Sequence, residues 1–146
     1  MMNISDFMSG DHKRCDELYS EAEAGAAGGD WEMAREQLAA FVETMEHHFA
    51  MEEQVLFPDF EAASGHSGGP TQVMRYEHEQ MRALFSAMHD ATIAQDTEQF
   101  LGEAETLLIL MQQHNRKEEQ ILYPMSDRLL AAAQPPVVER LQSLSA

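Results

Sequence analysis

The sequence predicts an all-α fold: an antiparallel, up-and-down four-helix bundle built from two copies of one helical hairpin, with a short C-terminal helix. Three observations carry this expectation. Four stretches with helical apolar periodicity are rich in Ala, Leu, Met, Glu and Gln and poor in β-branched residues. Glycine-rich breakers, "GAAGGD" and "SGHSGGP", follow the first and second stretches. The segment His48 to Pro58 also returns at His114 to Pro124, an offset of 114 − 48 = 66 residues, with six of eleven positions identical.

Each element has a local reason. The first helix is expected over Ser5–Ala27, the second over Asp30–Ala63, the third over Thr71–Ala94 and the fourth over Asp96–Leu130. Ser5, Asp30, Thr71 and Asp96 are the expected N-caps, because a short side-chain oxygen can accept from the unpaired N–H groups of a first turn. Pro58 and Pro124 are expected to end or kink the second and fourth helices about one turn beyond a glutamate. The tail "PPVVERLQSLSA" adds a helical turn or two. The offset pairs Ser5 with Thr71, His12 with His78, Asp30 with Asp96 and Met45 with Met111. The hairpins therefore span about residues 5–70 and 71–136, and the 146 residues are expected to form a single domain, 1–146.

Composition narrows the partners. Against 26 acidic residues stand 9 Lys and Arg, a formal charge of −17. Such a surface repels phosphate, so neither nucleic acid nor an anionic membrane is an expected partner. The longest strongly apolar run, "LLILM", is far too short to span a bilayer, and the N-terminal stretch has no signal-like apolar core. One cysteine, Cys15, excludes an internal disulfide. The expected location is the cytoplasm.

The repeat carries chemistry. His48 and Glu52 are four apart, so they share a helix face about 40° wide, one turn along; His114 and Glu118 do the same. From His12 to the end of the first helix is about 22 Å of rise, and from Asp30 back to His48 about 27 Å. His12 and His48 therefore meet within a turn, and the repeat imposes the same on His78 and His114. Met8, Met45, Met74, Met111, Phe41 and Leu107 surround this level with apolar groups. Four imidazoles and two carboxylates buried there need compensation, and a metal supplies it. Six ligands without thiolate exceed one structural zinc. Two metals bridged by two carboxylates and a solvent oxygen would each keep a further position open. Mixed imidazole and carboxylate ligation suits iron best, before manganese or zinc.

His12, His48-x-x-x-Glu52, His78 and His114-x-x-x-Glu118 resemble the pattern of the haemerythrin-like (HHE cation-binding) family, from about Ser5 to Leu130. The resemblance implies a four-helix fold holding a non-haem di-iron centre, oxo- or hydroxo-bridged, with these six residues as metal ligands. Ferritin-like sites differ, taking lone glutamates where this chain has His12 and His78. Oxygen-carrying haemerythrins have a further histidine where this chain has Met74, and an aspartate where it has Glu119. The set of four His and two Glu is closer to the repair-of-iron-centres proteins, which respond to nitric oxide and oxidative damage.

The remaining residues read more plainly. Glu53 and Glu119 fall about 100° round from the ligand glutamates, as solvated or outer acids. Asp11 and Glu77, each preceding a histidine, are candidates to orient imidazoles. His47 is turned off the ligand face, and His89 lies about 16 Å along the axis from His78. His66 belongs to the Gly-rich loop, exposed, and Cys15 to the core. Two functions from different classes follow: binding or sensing of oxygen or nitric oxide, and an oxidoreductase acting on peroxide or repairing iron centres. A metal-free helical adaptor is the third. The ligands expected for such a site are a small diatomic molecule or peroxide, because the apolar surroundings offer too few polar groups to orient a metabolite.

Overall fold

The computed structural model describes residues 2–65 and 69–144; His66, expected in an exposed loop, lies outside them. Among the described residues the structure is helical, without strands. In chain order the elements are α1 (Ile4–Ala27), α2 (Trp31–Met51), a π-helical turn (Glu52–Leu56) and α3 (Phe57–Ser64). Then come α4 (Pro70–Ala94), α5 (Thr97–Lys117), a second π-helical turn (Glu118–Leu122) and α6 (Tyr123–Leu129). A 3₁₀ turn (Ala131–Ala133) leads into α7 (Gln134–Ser143). Helix α1 pairs with α2 and α4 with α5; α1 against α5 and α2 against α4 close the four-helix bundle. No helix among the described residues is long and apolar enough to cross a membrane.

Two of the four expected N-caps hold. Asp30 accepts from Met33 N at 3.1 Å and Asp96 from Gln99 N at 3.0 Å. The other two do not. Helix α1 starts one residue earlier, capped by Asn3, whose side chain accepts from Asp6 N at 2.7 Å. Ser5 instead turns its hydroxyl to Asp127 on α6, which also receives Ile4 N at 2.9 Å. Helix α4 starts at Pro70, preceded by Gly69, and Thr71 donates its hydroxyl to Glu61 at 2.7 Å. Proline at a helix start is favoured because its missing N–H is not needed there. In both cases a tertiary acceptor takes the hydroxyl away from the local capping role.

Pro58 and Pro124 do not end their helices. Each stands second in a resumed α-helix, where a missing N–H is tolerated. The strain is taken upstream by a π turn: Phe57 N bonds to Glu52 O and Tyr123 N to Glu118 O, five residues back instead of four. Both wide turns begin at the glutamate of the repeated motif.

The core lies in two apolar clusters on either side of the polar level. One holds Tyr19, Phe41, Phe85, Phe100 and Leu107 toward the hairpin loops. The other holds Ile4, Met8, Leu56, Phe57, Phe60 and Leu122 toward the opposite end. Helix α7 covers that end by burying Val137, Val138 and Leu141, and Arg140 ties it to Asp59 on α3 at 2.7 Å. The loop between α1 and α2 is tight: a Cβ on Gly25 would lie 2.9 Å from Ala34 N. Gly29, at φ +75°, makes the left-handed turn there, and its repeat mate Gln95 adopts the same region at φ 54°.

Candidate metal centre

All six predicted ligand residues are buried and meet at one height between the two clusters. His12 comes from α1, His48 from α2, His78 from α4 and His114 from α5, while Glu52 and Glu118 open the two π turns. His78 Nε2 lies 3.0 Å from Glu52 Oε1, and Glu118 Oε1 lies 3.1 Å from His12 Nε2 and 3.4 Å from His114 Nε2. His48 Nε2 is 3.6 Å from Glu52 Oε1 and 3.9 Å from Glu118 Oε1. Glu52, His78, His114 and Glu118 form one group with donor atoms within 4.8 Å of one another; His12, His48 and Glu118 form a second. Glu118 belongs to both.

Every imidazole has a carboxylate behind it. His48 Nδ1 faces Asp11 Oδ2 at 2.8 Å, and its repeat mate His114 Nδ1 faces Glu77 Oε1 at 2.8 Å. His12 Nδ1 faces Glu119 Oε2 at 2.6 Å, mirrored by His78 Nδ1 and Glu53 Oε2 at 2.7 Å. Asp11 and Glu77 thus orient the histidine of the neighbouring helix, not the one beside them in the chain. Glu53 and Glu119 are outer partners, each holding a histidine of the other hairpin. Cations back three of the four carboxylates: Arg14 on Asp11, Arg82 on Glu53 and Lys117 on Glu77.

This arrangement determines which ring nitrogen carries the proton. An ionised carboxylate only accepts, so Nδ1–H donates outward and the Nε2 lone pair points inward. With neutral rings the centre contains lone pairs from four imidazoles and two carboxylates and too few protons to join them. Glu52 Oε1, His78 Nε2, His114 Nε2 and Glu118 Oε2 are indeed buried without a hydrogen-bond partner, and all four belong to the residues of the first group. His78 Nε2 and Glu52 Oε1 are close but not aligned for a hydrogen bond. Each orphaned buried polar atom costs about 1–3 kcal/mol. A cation at their focus removes that cost, and the donor set fits one.

The electrostatics say the same. Burial would lower the His48 and His78 imidazoles, yet the facing carboxylates outweigh it and raise both, His48 well above its ordinary value. His114 is likewise opposed by burial and pushed up to about 10 by Glu118 and Glu77. Burial would raise Glu118, but His114 and its hydrogen bonds hold the carboxyl well below its usual range. The carboxylates facing these rings thus favour positive charge at this level.

One residue at the centre is absent from the sequence-based set. Tyr123 is wholly buried, and its hydroxyl donates to Glu52 Oε2 at 2.8 Å. The same oxygen lies 3.0 Å from Glu118 Oε1 and 3.3 Å from both His12 Nε2 and His48 Nε2. In an α-helix a residue five beyond Glu118 would sit about 140° away from it. The π turn bonds Tyr123 N to Glu118 O, five residues back, and so brings Tyr123 round onto the face of Glu118. Its repeat mate Phe57 packs instead on His78, with ring centroids 5.8 Å apart.

The other residues fall as read. His47 bonds Leu144 O at 3.0 Å, away from the centre. His89 lines an apolar groove between α2 and α4 with Leu38, Val42 and Phe85. Cys15 is a buried core thiol that burial pushes up to about 12. A polar surface groove of about 560 Å³, lined by Asp16, Glu23, Arg116 and Glu119, runs outside the His12 side of the centre.

A family model described as "Hemerythrin HHE cation binding domain" matches residues 3–126, which include every residue of the centre. No curated protein and no solved structure matches the chain.

Proposed function

This chain belongs to the hemerythrin HHE cation-binding domain family, and from that premise we propose that it is a non-haem di-iron protein that binds or senses oxygen or nitric oxide. His12, His48, Glu52, His78, His114 and Glu118 hold the two ions, with Glu118 common to both positions. The observation that carries this reading is the set of four unpartnered buried atoms, two imidazole nitrogens and two carboxylate oxygens, within one cluster of His and Glu. Iron is preferred over manganese or zinc because imidazole and carboxylate are mixed and thiolate is absent. A reduced iron pair supplies reversible ligation of small molecules and one-electron redox chemistry.

The chain's own contribution is orientation and exclusion. Outer carboxylates hold the imidazoles at Nδ1, and Met8, Met74, Met111 and Phe49 close the surroundings. His12 and the ligand glutamates leave no more than 6% of a side chain exposed, so a bulky substrate has no direct access. A diatomic molecule or peroxide remains. The alternative, a peroxidase-like or iron-centre-repair oxidoreductase, is favoured by one feature, the Tyr123 hydroxyl as a proton donor among the ligands.

Metal analysis of iron-loaded protein should give two ions per chain; one or none would refute the dinuclear reading. An optical spectrum of anaerobically reduced protein, exposed in turn to oxygen, nitric oxide and peroxide, separates the two functions. Reversible spectral change on adding and removing a gas supports binding or sensing. Repeated turnover of peroxide with a reductant makes the protein an enzyme.

A further inference from the structure

We infer that Tyr123 is a seventh metal ligand, completing the second metal position and making the two positions chemically different. The inference rests on the dinuclear reading above and adds to it a donor that breaks the twofold repeat. The first group already has four residues with converging donor atoms; the second has three, His12, His48 and Glu118. The Tyr123 oxygen supplies the fourth.

The distances carry the argument. Ligand atoms at about 2.1 Å from a first-row ion lie about 3.0 Å apart when cis in an octahedron and about 3.4 Å apart in a tetrahedron. Around the second position the phenol oxygen is 3.3 Å from His12 Nε2, 3.3 Å from His48 Nε2 and 3.0 Å from Glu118 Oε1. Glu118 Oε1 is 3.1 Å from His12 Nε2 and 3.9 Å from His48 Nε2. These separations cluster around those that one ion imposes on its donors. A hydroxyl serving only as a hydrogen-bond donor has one proton, and Glu52 Oε2 at 2.8 Å takes it. The phenol oxygen also faces His12 Nε2, His48 Nε2 and Glu118 Oε1, so it converges with the donor atoms of all three residues of the second group.

The orphaned atoms make the complementary point. Among the described residues, three of the four lie on residues of the first group alone and the fourth on Glu118, which both groups share; none lies on His12 or His48, which the Tyr123 oxygen already contacts. The second position exchanges the phenol O–H bond for an oxygen–metal bond and releases the proton to solvent, an exchange that the four His and Glu donors of the first do not need. Filling is sequential, and the second ion carries a phenolic oxygen that the first lacks. Phenolate favours the ferric state, so the two irons differ in redox preference.

The test uses the full chain loaded anaerobically with ferrous ion and then oxidised with ferricyanide, beside Tyr123→Phe. Phenylalanine stands at the equivalent position of the first hairpin, so the variant has a packing precedent in the same fold. The wild type should bind two irons in two resolved steps. After oxidation it should show a visible charge-transfer band whose resonance Raman spectrum contains phenolate modes. Tyr123→Phe should lose the band and those modes and weaken one binding step at least tenfold, leaving the other unchanged. Two irons in the wild type without phenolate modes would overturn the inference while sparing the dinuclear reading, as would a variant that keeps the band and both steps. Fewer than two irons in the wild type would overturn both.

Discussion

Replacing each outer carboxylate by its amide tests whether those groups tune the centre or merely fill space. Asp11→Asn, Glu77→Gln, Glu53→Gln and Glu119→Gln each keep an oxygen to accept from Nδ1–H but remove the negative charge. Loss of such an outer partner costs roughly 10- to 100-fold in metal affinity, about 1.4–2.7 kcal/mol. Where each variant falls in that range follows from screening. The side chains of Asp11, Glu77, Glu53 and Glu119 are 4%, 12%, 25% and 42% exposed, so solvent damps the last far more than the first. Neutralising Asp11 or Glu77 also leaves Arg14 or Lys117 beside the imidazole without that counter-charge, whereas Arg82 keeps Glu46 and Glu79 when Glu53 is neutralised. Among the described residues no Lys or Arg pairs with Glu119. Both effects order the variants alike. Asp11→Asn should approach the 100-fold limit, and Glu119→Gln should stay near tenfold or below. Anaerobic competition for ferrous ion against a chromophoric chelator measures this, with circular dichroism confirming the fold. Equal losses in all four, or the largest loss at Glu119, would refute the account.

Three further outcomes are expected. His47→Ala should leave the metal content intact while His48→Ala lowers it, because only the second side chain reaches the centre; metal analysis of the two purified variants decides it. In the metal-free chain, His114 is raised from 6.5 to about 10, so its contribution to stability is complete below about pH 6.5 and fades as pH climbs toward 10. The metal-free melting temperature should therefore fall across that window, while apparent metal affinity rises because fewer protons must be displaced; melts with and without chelator would show both, and a flat metal-free profile would contradict the assignment. Gly25→Ala should destabilise by about 1–3 kcal/mol, since its Cβ would meet the Ala34 backbone at 2.9 Å, and urea unfolding would register the change.

The cluster of six His and Glu residues was legible in the sequence because two periodicities agree there: the helical repeat places His and Glu on one face, and the hairpin repeat places both hairpins at one height. Asp30 and Asp96 were legible as caps because their function is local. Ser5 and Thr71 were equally plausible, but Asp127 and Glu61 claim their hydroxyls, and those acceptors are remote in sequence. The partners of Asp11 and Glu77 were hidden for a related reason. An adjacent helix position points about 100° away from its neighbour, toward the next helix, which chain proximity does not reveal. Tyr123 was missed because α-helical counting turns it away from Glu118. The available signal was the proline: a repeated Pro six residues after each ligand glutamate, inside a long helix, asks where the strain is absorbed.

The two π turns give chain length a chemical meaning. A π turn contains one residue more than the α turn it replaces, so deleting a single residue such as Gln120 would leave a helix that is, by ordinary standards, more regular. Everything beyond the deletion would rotate by about 100° and retreat by about 1.5 Å. Tyr123 would swing off the ligand atoms in the second hairpin, and the matching loss of Gln54 would carry Phe57 off His78 in the first. Neither change replaces any of the six His and Glu residues of the centre. One position, Phe57 in the first hairpin and Tyr123 in the second, then makes two otherwise matching halves of the centre unlike.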